Sequence, residues 1–380
     1  MQEETKQVKT KNNFLKNALS IVLLIVVSAL VVFLFIKDDM DGLLVALKQT
    51  KWIFILYAFG LMMVAYILDG LCLMILTREY KRDYSFKEAL QNTMVGSFFC
   101  SITPSASGGQ FAQAYCFSKT KVPVEDSSSV LVLNFTIFQF SVLVCALFSV
   151  IFFYDEAVKL IPTVEILGIN VSFTILIILG FILTIISVVG PILLSYSKVV
   201  NKFIGWLVRV LGKIKIIKKP EDTLIKVETK IAGFRQNLSN MKGKEKTLVK
   251  AFFVALARFV IYFAIPFFIG LGLGVELENL NLPLCISFGC YIWILSMFIV
   301  IPGGSGGAEA FFVLLFTNVL LSSTGTSLAA PGMLLWRFVT FHIPLIICGI
   351  ITFIFNKKKN AKFFQEVPAE FKWIFLRKHH

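Results

Sequence analysis

The sequence predicts an all-α integral membrane protein built as an inverted repeat of three-element units, with about six full transmembrane helices plus two re-entrant broken helical hairpins. Three observations predict it. The 380 residues are 57% hydrophobic, with 39 Phe and a mean hydropathy of +0.81, far more apolar than a soluble chain of this size. The runs 18–36, 52–76, 127–153, 166–195, 251–273 and 328–355 are each long enough to cross a bilayer. The pattern Pro-x-x-Ser-Gly-Gly occurs twice, at Pro104–Gly109 and Pro302–Gly307, 198 positions apart, and interrupts the apolar regions 86–118 and 283–318.

Taken in order, residues 1–17 form a basic cytoplasmic tail with Lys6, Lys9, Lys11 and Lys16, and 18–36 reads as an uncleaved signal-anchor helix. The acidic link Asp38, Asp39, Asp41 then lies outside, and Arg78, Lys81 and Arg82 return inside. Residues 52–153 are the first membrane repeat. Lys119 and Lys121 also favour the inside, so 86–118 must enter and leave by one face. Span 127–153 exits to Asp155 and Glu156, and the connecting helix 166–195 returns to the basic cytoplasmic or interfacial segment 196–249. Within it, 199–217 alternates apolar and basic residues (Trp206, Arg209, Lys213, Lys215) and suits the inner leaflet surface. The second repeat, 250–355, exits to Glu276 and Glu278, dips back at 283–318 and delivers Lys357, Lys358 and Lys359 to a basic tail, 356–380. A shift of 198 carries 52–76, 86–118 and 127–153 onto 250–274, 284–316 and 325–351 without a gap. Both termini are then cytoplasmic, in a bacterial inner membrane.

The formal net charge of +14 first suggests nucleic acid. The basic residues instead mark the ends of apolar runs, where they orient helices and meet anionic lipid, so no nucleic-acid partner is expected. The seven Cys lack Cys-x-x-Cys spacing and read as small hydrophobes. No phosphate-binding loop, nucleophile elbow or zinc-protease motif is present, so neither a cofactor nor a metal is expected and no residue is assigned a catalytic role.

Broken helices survive in a membrane only where they pack against protein or line a cavity. In each motif Pro ends the first half-helix, the Gly pair permits a tight turn, and Ser107 or Ser305 can cap the second half-helix. Amide groups at such an end attract anions. The competing reading is that small residues merely allow close packing. Gln110, three residues after Ser107, fits a capping box, whereas Glu309 stands four after Ser305, one step out of that register. An ionisable group at this depth is a functional candidate. Arg258 and Arg337 each cost about 2.5–3.5 kcal/mol to insert, so each needs an ion partner, Glu309 or Asp69, or a phosphate to clamp. Asp69, near Arg78, reads as structural, and His342 as a core residue. Gln139 occupies the place of Arg337 in the first repeat, where Ile137-Phe138-Gln139-Phe140 faces Leu335-Trp336-Arg337-Phe338. The candidate substrate-binding set is therefore Arg337, Arg258, Glu309, Ser105, Ser107, Gly108, Gly109, Gln110, Gln113, Ser305, Gly306, Gly307 and Gln139.

The stretches Ile102–Gln110 and Pro302–Glu309 resemble the two hallmark segments of the lysylphosphatidylglycerol synthase transmembrane family, to which the flippase half of the multiple peptide resistance factor and YbhN-like proteins belong. The resemblance covers about residues 15–356. It implies a polytopic, often dimeric lipid translocase acting on a phospholipid such as phosphatidylglycerol or its aminoacyl derivative. With about two dozen residues after the last span, the soluble synthase domain of the resistance factor has no counterpart, so lysyl transfer is not expected of this chain. The rival expectations are a subunit for lipid-linked headgroup transfer and a small-anion transporter.

Overall fold

The computed structural model describes residues 40–103, 106–161, 163–166, 169–196, 243–296 and 306–358, with residues 206 and 236. The expected anchor 18–36, most of the basic segment 196–249, most of the tail 356–380 and residues 104–105 and 297–305 lie outside the described residues. The chain is an all-α membrane protein. Five helical stretches among the described residues, 52–77, 124–160, 173–190, 245–272 and 329–355, are long and apolar enough to cross a membrane.

A short helix α1 (Met40–Gln49) precedes α2 (Trp52–Thr77). The pair α3 (Phe86–Ile102) and α4 (Gly108–Lys119) follows, then α5 (Val124–Leu160). Ser85 starts α3 with a capping box: its hydroxyl accepts from the Glu88 amide at 3.2 Å, and its own amide donates to Glu88 Oε2 at 2.9 Å. Pro123, with Glu125 and Asp126 in the first turn, starts α5. This helix has 37 residues and outruns the expected 127–153 at both ends. Beyond it the antiparallel strands β1 (Thr163–Ile166) and β2 (Ile169–Ser172) form a small hairpin, whose second strand lies where the sequence predicts the start of the connecting helix 166–195. Helix α6 (Phe173–Tyr196) accordingly begins seven residues after the expected 166.

The second half opens with α7 (Glu245–Phe263) and α8 (Ile265–Gly272), where the sequence predicts one span. Pro266 lacks an amide hydrogen and breaks the helix there. Then come α9 (Leu282–Ser296), α10 (Gly307–Phe316) and α11 (Ala329–Arg337). A π turn (Phe338–His342) leads into α12 (Ile343–Lys358). Pro344 explains that turn. It cannot donate to Thr340, and its ring crowds that carbonyl, so the preceding backbone widens.

Helix α2 runs antiparallel to α7 and α8, its counterparts under the 198-residue shift. The Lys51 amide donates to the Gly272 carbonyl at 2.7 Å, Asp69 meets Arg258 at 2.9 Å, and Cys72 Sγ lies 3.6 Å from the Ala251 carbonyl. The α3–α4 pair begins and ends at one side. Lys81 Nζ donates to the Thr120 carbonyl at 2.7 Å, and the Tyr84 and Phe117 rings lie 5.7 Å apart. The α9–α10 pair does likewise at the other end of α2, where Leu280 and Leu320 converge on Gly270 and the Phe288 and Phe316 rings lie 5.7 Å apart. At about 1.5 Å per residue, α3 is about 25 Å long and α2 about 39 Å, so the first pair ends partway along the bundle. The end with the α3–α4 base carries Arg78, Lys81, Arg82, Lys119, Lys121, Lys244, Lys246 and Lys250. There Glu79 meets Lys244 at 3.0 Å and accepts from Thr247 at 2.7 Å. The Thr247 hydroxyl and then Lys244 hold its carboxyl below the usual range. Exposed apolar side chains recur at helical spacing on α6 (Ile175, Ile178, Ile182, Ile185) and α12 (Ile346, Ile350, Phe353), faces suited to lipid.

Candidate functional site

The first motif makes its turn with a different residue than the sequence indicates. Ala106, at φ 54°, takes the left-handed conformation, at a cost of about 1–2 kcal/mol for a residue with Cβ. Gly109 instead serves helix contact: a Cβ there would lie 2.1 Å from Cys100 Sγ and 3.0 Å from the Gly96 carbonyl. Gly96 in turn is covered by the half-buried Gln113. Ser107 does not cap α4. Its backbone is already helical (φ −65°, ψ −26°) and its side chain makes no cap bond. Thr103 does that work, its hydroxyl accepting from the Gly108 amide at 2.9 Å and donating to the Phe99 carbonyl at 2.6 Å. Gln110 is exposed and completes no capping box with Ser107. Ser105 and Ser305 lie outside the described residues. Thr103→Ala should therefore lower stability by about 1 kcal/mol while Ser107→Ala leaves it unchanged. Thermal unfolding of the two detergent-purified variants checks this.

In the second motif Gly306, at φ 92°, takes the left-handed position, and Gly307 opens α10. Because the helix begins one residue later than expected, Glu309 falls at its third position. Its Oε2 accepts from the Gly306 amide at 2.8 Å and from Arg337 Nη2 at 2.8 Å. One carboxylate thus fastens a half-helix end and neutralises a guanidinium, with Glu309 4% and Arg337 6% exposed. Trp336 and Phe341 pack their rings 5.0 and 5.3 Å from the Arg337 guanidinium, and Trp336 stacks on Phe312 at 5.0 Å.

Arg258 forms the second buried pair, with Asp69 rather than a motif residue. The expected association of Asp69 with Arg78 is not found: Arg78 Nε donates to the Tyr84 carbonyl at 3.0 Å. Arg258 Nε lies 2.9 Å from Asp69 Oδ1 in a close ion pair. Arg258 Nη1 makes no hydrogen bond among the described residues. Four rings enclose this guanidinium, those of Phe259, Tyr262, Trp293 and Phe138, at 4.4, 5.0, 5.6 and 5.9 Å. Tyr262 packs its ring 5.0 Å from the Arg258 guanidinium, and its hydroxyl faces Thr340 of the π turn that follows Arg337. Thr340 donates to the Trp336 carbonyl at 2.7 Å within the π turn.

The structure thus brings together Arg337, Glu309 and Arg258, and adds Asp69 and Tyr262. Gln139 stands apart, donating to Ser187 of α6. Tyr262 was open to sequence reasoning, since it follows Arg258 by four residues on one helix face. Asp69 was among the expected ion partners, but which arginine it meets depends on the register between α2 and α7.

Asp69, Arg258, Glu309 and Arg337 are the buried charged side chains among the described residues. They form two close ion pairs, as a membrane interior demands. The chain is 25% identical over 326 residues to a UPF0104 membrane protein of Archaeoglobus fulgidus, an alignment covering 83% of this chain and 91% of that protein. The sequence pattern of the lysylphosphatidylglycerol synthase TM region matches residues 19–348 and takes in both pairs, and the chain belongs to that family.

Proposed function

We propose that the protein is a phospholipid translocase that passes a headgroup between leaflets through the buried layer of Arg258, Asp69, Tyr262, Arg337 and Glu309. The observation that carries this reading is the pair of buried guanidinium–carboxylate contacts beside an antiparallel helix crossing, one of them fastened to the start of α10. A lipid phosphate matches the fork of an Arg side chain as well as a carboxylate does. It can therefore replace Asp69 or Glu309 without leaving either guanidinium bare. Each buried carboxylate is held by its own arginine, which suits exchange of ion partners over bond-making chemistry, so headgroup transfer is the weaker alternative.

In this reading the two halves form an inverted repeat. The antiparallel run of α2 against α7–α8 and the opposed openings of the α3–α4 and α9–α10 pairs support it, with both pairs as re-entrant hairpins. Rocking of one half against the other would alternate access to the layer. The excess of Lys and Arg at the α3–α4 base supports a cytoplasmic position for that end, with a phosphate-bearing phospholipid, of which the expected anionic and aminoacylated lipids are two kinds, as substrate.

The test is leaflet exchange in proteoliposomes containing tail-labelled fluorescent phospholipid. A membrane-impermeant reductant added outside bleaches about half of the label in protein-free vesicles. The protein should carry bleaching close to completion. Bleaching that stops at the protein-free level, with protein incorporation verified, would refute translocation.

A further inference from the structure

We infer that the preferred substrate is a phospholipid whose headgroup pairs one phosphate with one ammonium, net neutral, and not a purely anionic lipid. The inference rests on the translocase reading and follows from the charge of the buried layer. Two guanidiniums and two carboxylates, Arg258, Arg337, Asp69 and Glu309, are the buried charged side chains among the described residues, so the layer is formally neutral. A net charge buried there would have no counter-ion, and an uncompensated charge in a low-dielectric interior is strongly disfavoured. A monoanionic headgroup leaves that deficit. A zwitterionic one does not, because its phosphate takes Arg258 while its ammonium takes Asp69. The Arg258–Asp69 pair becomes two pairs, and every charge is again compensated.

The surroundings of Arg258 fit this exchange. Its Nη1 makes no hydrogen bond among the described residues, and its Nε meets Asp69 Oδ1 at 2.9 Å, although Arg258 is 9% and Asp69 8% exposed. Phosphate oxygens would accept from Nη1 and, on displacing Asp69, from Nε, and an ammonium would then donate to the released Oδ1. The rings of Phe259, Tyr262, Trp293 and Phe138 form an enclosure that already holds one cation, and ring faces of this kind stabilise an ammonium equally. A glycerol headgroup offers this enclosure hydroxyls only.

The experiment compares tail-labelled phosphatidylethanolamine and phosphatidylglycerol in the same leaflet-exchange assay. Wild-type protein should move the ethanolamine lipid about tenfold faster, the equivalent of ~1.4 kcal/mol of discrimination. Asp69→Asn and Glu309→Gln each leave the layer with one positive charge in excess, so each should shift the preference toward the glycerol lipid. A loss of packing alone would slow both lipids without moving their ratio. The second variant stands in should the first not fold. Equal or faster movement of the glycerol lipid by wild type, or an unmoved ratio in a folded variant, overturns the inference and leaves translocation standing. Movement of neither lipid overturns both.

Discussion

Arg337→Ala should remove leaflet exchange and lower thermal stability together, and the double variant Arg337→Met/Glu309→Leu should separate the two effects. The single substitution strands the Glu309 carboxylate, 4% exposed, without its guanidinium. Breaking one side of a buried pair costs about 3–5 kcal/mol. For a protein of this size that lowers the unfolding temperature by about 5 °C. Replacing both partners with apolar side chains of similar volume removes the stranded charge, and such replacements are often neutral or stabilising. One cost remains, since the Gly306 amide loses the Glu309 oxygen that accepts from it at 2.8 Å, about 1 kcal/mol. The double variant should therefore unfold within about 1–2 °C of wild type, yet move lipid about 10–100-fold more slowly for want of a charged hydrogen bond to phosphate. Thermal unfolding in detergent and leaflet exchange in vesicles are the two measurements. Normal exchange by the double variant would take Arg337 out of the mechanism.

Much of the architecture is legible in the sequence because hydropathy is a one-dimensional signal. A membrane helix must satisfy its backbone internally, so the spans 52–76, 127–153 and 328–355 declare themselves by length and composition. The break within 250–274 is also written there, as Pro266, as is the π turn ahead of Pro344. The β1–β2 hairpin is harder to read because strands of four residues carry too little periodicity to stand out beside a long apolar run. The motif residues show where local reading stops. Pro-x-x-Ser-Gly-Gly signals a break correctly, but which residue turns the chain and which caps the helix depend on where the second half-helix starts. Ala106 and Thr103, not Gly108 and Ser107, take those roles in the first copy. In the second, a start one residue later moves Glu309 into capping register. The buried pairs divide likewise. Glu309 and Arg337 were among the candidates from their depth alone, while the match of Asp69 with Arg258 needs the antiparallel register of two helices 189 positions apart at that contact.

Gly109→Ala is the second large effect, because it tests whether the Gly pair serves close approach. A Cβ at this position meets Cys100 Sγ at 2.1 Å and the Gly96 carbonyl at 3.0 Å. The sulfur is a side-chain atom and can be removed. The carbonyl belongs to α3 and moves only if the helix moves. The substitution should cost about 1–3 kcal/mol through overpacking and splay α4 from α3, loosening the Gly96–Gln113 contact one turn away. Adding Cys100→Ala relieves the shorter contact and leaves the longer one, so the pair should recover part of the unfolding temperature and not all of it. The outcome discriminates between two uses of glycine. A residue needed for left-handed backbone would be damaged by Ala whatever stood at position 100, whereas one needed for proximity responds to the size of its neighbour. Full insensitivity to the Cys100 substitution would mean that α3 and α4 do not meet through Gly109.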